Sequence, residues 1–156
     1  MLARTPSPSA PFSALLARFS PETIALVKRS LPKLRRSLPG STQLVYDYSN
    51  SLVVAFGLSE HGIEAVVALA IDPRRVRLCF NNGKFLPDPK GLLEGSGAAI
   101  RSVTLKAASN LDNRDIQALL IAAIKHSGLA FSPTRSSRMV FRSASKKARP
   151  KRTRDA

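Results

Sequence analysis

The amino-acid sequence predicts an α+β fold, in which an antiparallel five-stranded sheet carries its helices on one face. Two observations support this prediction. From residue 43 to residue 80, the chain contains successive segments that short links join. In each segment, apolar residues alternate with polar or small ones. Segments with helical periodicity stand before and after them. Because short links join antiparallel neighbours, the strands form a meander that the flanking helices cover.

The strands are predicted near five stretches of the chain: 43–48, 52–59, 63–71, 75–80 and 101–107. The links between the first four contain Ser, Asn, Gly and Pro, which favour turns. The fourth strand places apolar side chains on one face and places Arg77, Cys79 and Asn81 on the other.

The first helix is predicted to begin at Ser20-Pro21-Glu22, where a capping serine precedes proline and an early acid. Pro32 interrupts the apolar stripe that follows, so two helices are expected, over about 21–30 and 32–38. The polar side fits either a solvated face or a surface that recognises a partner. It carries Lys28, Arg29, Lys33, Arg35 and Arg36.

The last helix is predicted to begin at Asp112, which can act as its N-cap, and to end at Gly128. Leu111 and Ile116 are expected to form a hydrophobic staple around that cap.

The segment between the fourth and fifth predicted strands is rich in Gly and Pro. Asp88-Pro89 predicts a one-turn helix that Gly95 ends. Gly95, Ser96 and Gly97 lead into a strand rather than a helix, so a dinucleotide-binding loop is not expected. These residues fit either a backbone nest for a small anion, with Arg101 nearby, or plain turn geometry. In the structural interpretation, Arg101 pairs with an acid such as Glu94 or Asp88.

The stretch FNNGKFLPDPKGLLEGSGAAIRSVTL resembles the YdhG-like bacterial domains, a family of mostly unknown function that includes proposed frataxin-like iron chaperones. The matching residues are Phe80, Gly83, Leu86 to Pro89, Leu92 to Gly97 and Arg101. Weaker similarity runs from about Thr23 to His126. The resemblance implies a frataxin-like sandwich and suggests iron binding. Ala98 stands where the family usually has lysine, which argues against an anion contact at that point.

The charge of the chain argues against an iron site. The acidic ridge of frataxin-type proteins lies on the first helix and first strand, whereas the first helix here has one acid, Glu22, among five bases. A hard iron site needs clustered oxygen ligands, and the other acids are spread along the sequence. We therefore expect no metal site and no cofactor.

The composition favours polyanionic partners or an acidic protein surface. The 156 residues include 25 Lys and Arg against 10 Asp and Glu, a formal charge of +15. One cysteine excludes an internal disulfide. No apolar run reaches the length of a membrane helix, so we expect a cytoplasmic protein without a membrane partner. The composition leaves the oligomeric state open.

Three parts of the chain are distinguished. Residues 1–19 are expected to be a flexible leader or a transit-peptide remnant, and residues 20–132 the YdhG-like domain. Residues 133–156 are expected to be a basic disordered tail, which either associates with nucleic acid without sequence preference or only solubilises the chain. Within it, Met139-Val140-Phe141 is a candidate docking point. The candidate nucleic-acid contacts are Arg142, Lys146, Lys147, Arg149, Lys151, Arg152 and Arg154.

Catalytic residues are not evident, and an enzyme is not expected. His61 falls in a predicted turn and His126 at a helix end, and no motif pairs either with Cys79 or a serine. The sequence favours a non-enzymatic binding domain that holds a protein or a small anionic partner at its sheet face or Gly-rich loop. An iron chaperone and a nucleic-acid contact through the tail remain the alternatives.

Overall fold

A computed structural model describes residues 9–143 and shows an α+β fold, with three helices and a mixed sheet of six strands in that range. The helices are α1 (Ser9–Leu16), α2 (Pro21–Ser37) and α3 (Arg114–Ser127). The strands are β1 (Thr42–Asp47), β2 (Leu52–Gly57), β3 (Val67–Ile71), β4 (Val76–Phe80), β5 (Arg101–Leu105) and β6 (Arg138–Ser143). Short 3-10 turns lie at Gly62–Glu64, Gly83–Phe85 and Ala108–Asp112.

The strands lie in the order β5-β4-β3-β2-β1-β6. Strands β1 to β4 pair with their sequence neighbours in antiparallel fashion, as the short links predict. Strand β5 also pairs antiparallel with β4, although the longer segment 81–100 joins them. The predicted number of strands is wrong, because β6 adds a sixth strand that runs parallel to β1. The α+β class is confirmed, and the sheet is mostly antiparallel rather than wholly so.

Strand β6 lies within the segment for which the sequence predicts a disordered tail, so that prediction needs correcting for residues 138–143. Met139 packs against the main core and Val140 against the opposite side of the sheet. The side-chain amide of Gln43 on β1 donates to the Ser137 hydroxyl at 2.7 Å. The strand docks because β1 has a free edge and β6 offers apolar side chains to both faces.

The described part of the leader is also ordered. Helix α1 buries Phe12 and Leu16 in the core. Just after it, Arg18 forms an ion pair of 3.0 Å with Asp47 at the end of β1. The expected flexibility of residues 1–19 is therefore not what the structure shows for residues 9–16.

Helix α2 is one continuous helix, not two. The Ser20 hydroxyl caps it by accepting from the backbone N–H of Thr23 at 3.2 Å, as the sequence predicts. Pro32 stands inside the helix on its exposed side. Proline at this position removes one backbone hydrogen bond, but Leu31 and Leu34 are buried beside it. Burial of this stripe holds the helix together across the proline.

Helix α3 begins one residue later than predicted, with Asn113 as its N-cap. The Asn113 side-chain oxygen accepts from the backbone N–H groups of Asp115 at 2.8 Å and Ile116 at 3.2 Å. Asp112, the predicted cap, instead forms an ion pair of 2.8 Å with Lys33 on α2. The two helices are thus linked by the residue that precedes the cap.

The predicted one-turn helix after Asp88 does not form. The Asp88 carboxylate accepts from the backbone N–H groups of Leu92 and Leu93, both at 2.9 Å. A short aspartate side chain can replace helical carbonyls in this way and hold a tight loop instead.

The helices cover one face of the sheet. Val45, Val54, Leu69 and Leu78 point to that face from four neighbouring strands, and all four are almost fully buried. They belong to one core cluster with the apolar stripes of α2 and α3. None of the helices in residues 9–143 is long and apolar enough to cross a membrane.

Replacing each of the two residues at the start of α3 by alanine tests where that helix begins. Asn113→Ala leaves two helix N–H groups without their acceptor and should lower the free energy of unfolding by about 1 kcal/mol. Asp112→Ala removes only an exposed ion pair and should cost less than about 0.5 kcal/mol. Urea denaturation of both variants measures the difference. A larger loss for Asp112→Ala would contradict the observed cap.

Candidate functional site

The face of the sheet opposite the helices is the candidate site, and we call it the open face. Because paired residues of neighbouring strands point to the same face, the register aligns two rows of side chains across it. The first row is Ser102, Cys79, Ala68, Ala55, Leu44 and Val140. The second row is Thr104, Arg77, Ala70, Val53, Tyr46 and Arg142.

A concavity of about 490 Å³ lies on the open face. Its floor contains Ala55, Ala68 and Ala70, whose side chains are too short to fill the space above the strands. This volume falls within the range of about 300 to 1,000 Å³ that is usual for ligand sites. The lining consists of Tyr46, Tyr48, Val53, Ala55, Gly62, Ala68, Ala70, Cys79, Asn81 and Ile100.

Two tyrosines form one wall of the concavity. The rings of Tyr46 and Tyr48 stack with their centroids 6.4 Å apart and their planes 25° from parallel. Both are partly exposed. A Cβ atom at Gly62 would overlap the Tyr46 hydroxyl, so this glycine lets the 3-10 turn close over the edge of the ring. The turn thereby holds Tyr46 in place against the floor.

Two arginines stand in the second row, one on each side of this floor. The Nε atoms of Arg77 and Arg142 are shielded from solvent, and neither has a hydrogen-bond partner among the described residues. Their terminal nitrogens have carboxylate partners: one of Arg77 lies 4.0 Å from Asp72, and one of Arg142 lies 3.3 Å from Glu60. The shielded Nε atoms are closed to a ligand, but the side chains are 31% and 39% exposed, so a ligand would meet the exposed remainder of each arginine.

Glu60 binds β6 to the domain through two arginines of that strand. Its carboxylate accepts from Arg138 at 2.8 Å and from Arg142 at 3.3 Å, and its backbone carbonyl accepts from Arg142 at 2.9 Å. The hydrogen bond and the charge of Arg138 are the main causes that lower the pKa of this carboxyl, and Arg142 adds to them. Glu60 is therefore ionised at neutral pH and fixes the orientation of Arg142.

Cys79 lines the concavity but is not set up as a nucleophile. Burial raises the pKa of its thiol, and the charges of Arg77 and Arg75 only partly oppose this effect. A reactive cysteine needs its pKa lowered. The thiol therefore contributes a small, weakly polar surface to the floor.

The Gly-rich loop is closed on itself. Glu94 and Ser102 exchange two backbone hydrogen bonds of 2.8 and 2.9 Å, which bring the ends of the loop together. One terminal nitrogen of Arg101 donates to the carbonyls of Gly97 and Ile100, each at 2.8 Å. The expected ion pair of Arg101 with an acid does not form among the described residues.

The arrangement of Arg101 favours the turn interpretation of this loop over an anion nest. A nest presents backbone N–H groups to a ligand. Here the Arg101 side chain binds carbonyls of the loop instead. Gly95 has a φ of 129°, and Gly95, Ser96 and Gly97 are all exposed. The loop still reaches the open face, since Ile100, which is 55% exposed, lines the concavity.

A second, smaller cavity of about 240 Å³ lies at the end of α3. His126 and Glu64 are among its lining residues. The His126 ring stacks on Phe85 with centroids 6.0 Å apart. No group of three or more His, Cys, Asp or Glu residues in the described chain is placed to hold a metal ion.

Of the predicted nucleic-acid contacts, Arg142 alone lies within the described residues, on β6. The others lie beyond residue 143, outside the described residues; they are Lys146, Lys147, Arg149, Lys151, Arg152 and Arg154.

Sequence reasoning placed Arg77 and Cys79 on one face of a strand but missed the tyrosine wall. The alternation of Leu44, Tyr46 and Tyr48 is a signal that could have placed both rings on the same face. The position of Arg142 could not be found in this way, because it depends on the pairing of β6 with β1.

No family model, no curated protein and no solved structure matches this chain.

Two glycines of the Gly-rich loop provide a matched test of its geometry. Gly95→Ala should lower the free energy of unfolding by about 1 kcal/mol or more, because φ is positive there and the carbonyl of Ile100 would lie 3.3 Å from the new Cβ. Gly97→Ala should change it little, since a Cβ there meets nothing within 4 Å. Chemical denaturation measures both, and equal losses would be inconsistent with the loop geometry.

The titration of Cys79 tests the placement of Arg77. Because the Arg77 charge lowers the pKa of this thiol, Arg77→Gln should raise that pKa further. The pH at which alkylation by iodoacetamide reaches half its maximal rate should therefore move upward. Arg29→Gln, a matched charge change on the exposed side of α2, should leave it unchanged. A downward shift or none in Arg77→Gln would disprove that placement.

Proposed function

We propose that this chain is a non-enzymatic binding domain of the YdhG-like type, which holds an anionic partner on the open face of its sheet. One observation carries the proposal: Arg77 and Arg142, whose side chains are 31% and 39% exposed, stand in one row of the open face with an apolar floor between them. Guanidinium groups favour carboxylate and phosphate oxygens.

The charges around the concavity support an anion rather than a cation. At one side, Asp72 lies 4.0 Å from Arg77, and the charges of Arg77 and Arg75 both act on Cys79. At the other side, Arg138 and Arg142 share Glu60. Bases therefore outnumber acids at both sides. A field of one sign across a concave surface attracts ligands of the opposite charge.

A non-enzymatic role is supported by Cys79, whose raised pKa is opposite to the need of a nucleophile. For the iron-chaperone alternative, the described residues offer no observation in its favour. A cytoplasmic location belongs to the same proposal, with the single cysteine of the chain as its support.

Thermal unfolding of the full chain with a panel of anions tests the proposal. The probes are inorganic triphosphate, adenosine monophosphate, poly-L-glutamate and a single-stranded oligothymidylate. Binding to the native state raises the midpoint of unfolding by mass action. At least one probe should raise it for the wild type and for Arg29→Gln, and raise it less for Arg77→Gln and Arg142→Gln. The proposal fails if no probe shifts the midpoint, or if all four proteins respond equally.

A further inference from the structure

The two arginines of the open face are too far apart for one small anion. Arg77 lies on β4 and Arg142 on β6, in the same row, with β3, β2 and β1 between them. At about 4.8 Å per strand, four spacings place the two backbone positions about 19 Å apart. A ligand that pairs with both arginines must therefore be extended and must carry negative charge at more than one point.

The surface between the arginines suits flat apolar groups. Ala70 and Val53 separate Arg77 from Tyr46 along the row, and Ala55 and Ala68 continue the floor beside them. The stacked tyrosines form its wall on the side of Arg142. A single-stranded nucleic acid combines a charged backbone with flat bases, and such strands bind proteins through cationic grooves and aromatic side chains.

Three other occupants fit less well. A second copy of the chain would bring its own arginines against Arg77 and Arg142, which like-charge repulsion opposes. An acidic peptide would satisfy the arginines but has no regular series of rings to stack on Tyr46 and Tyr48. A nucleic-acid duplex keeps its bases stacked inside, away from the tyrosines.

Strand β6 ends at the corner of the sheet where the two tyrosines lie. Asp47 at the end of β1 pairs with Ser143 at the end of β6. Tyr48 directly follows Asp47 in the sequence. The chain that follows Ser143 carries Lys146 and Lys147 and further bases. These bases lie outside the described residues, and they add to the positive charge of the chain, which favours a polyanionic partner.

Resting on the proposed function, we infer that the anionic partner of the open face is single-stranded nucleic acid. Its phosphates pair with Arg77 and Arg142, and its bases stack at Tyr46 and Tyr48. The binding is expected to show little sequence preference, because the lining of the concavity offers few groups that read base edges.

The test is a fluorescence-anisotropy titration of a labelled twelve-residue oligothymidylate with the full chain at several salt concentrations. Arg77→Gln and Arg142→Gln should each weaken binding several-fold and reduce the slope of log affinity against log salt by about 0.7. Tyr46→Leu should weaken it about fivefold or more, through lost base stacking. Arg29→Gln, the matched charge control on α2, should change affinity less than twofold. Circular dichroism confirms that each variant is folded.

Two further arms separate the rival occupants. A duplex of the same length should bind more weakly than the single strand, and poly-L-glutamate should compete poorly. The tail variant Lys146→Gln/Lys147→Gln should weaken binding without removing the effect of Arg77→Gln. A truncation at Pro133 is unsuitable as a tail deletion because it also removes β6.

Binding that depends on the tail variant but not on Arg77 or Tyr46 overturns the inference, as does equal affinity for the duplex. If poly-L-glutamate stabilises the chain through Arg77 while the oligothymidylate does not bind, this inference fails and the proposed function stands. If no anion responds to Arg77→Gln or Arg142→Gln, both fail together.

Discussion

Burial of one sheet face against the helices is the constraint on which the rest of the structure depends. Phe56 and Phe80 are fully buried on that face, and the stripes of α2 and α3 close over them. Since strand side chains alternate, each strand that buries one face presents its other residues on the opposite side. The one-sided core therefore creates the open face as its direct consequence.

The open face is not an ordinary polar surface, since it carries a small second cluster of buried residues, Leu44, Ala55, Ala65 and Ala68. A second core would fill the space above Ala55, Ala68 and Ala70 with larger side chains or another layer. A solvated face would carry polar residues at these alternating positions. Here a concavity remains above these small residues beside the two tyrosines, which fits a surface that a partner covers further.

The elements that depend on local sequence were predictable. The meander β1 to β4 follows from alternation and short turns, and Gly128, with a φ of 73°, ends α3 as expected. Asn113 was missed as the N-cap because Asp112 beside it is an equally good capping type. The break at Pro32 did not occur because burial of Leu31 and Leu34 outweighs one lost hydrogen bond.

The elements that depend on distant contacts were not predictable. Strand β6 pairs with β1 across most of the chain, and its basic composition is typical of disorder. Only Met139-Val140-Phe141 indicated a docking point there. The candidate site depends on distant contacts in the same way. The sequence placed Arg77 on a strand face but did not show which face the helices cover. The position of Arg142 follows from the pairing of β6.

The chain contains two tyrosines and no tryptophan, so emission excited near 280 nm and detected in the tyrosine band reports mainly on Tyr46 and Tyr48 in the concavity. Titration with oligothymidylate, corrected for absorption by a parallel titration of free N-acetyltyrosinamide, is the most direct test of binding at the open face. Stacking of bases on these rings should quench the emission in a saturable way, at the same concentration as the anisotropy change. Binding seen by anisotropy with unchanged tyrosine emission would show that the oligonucleotide lies elsewhere.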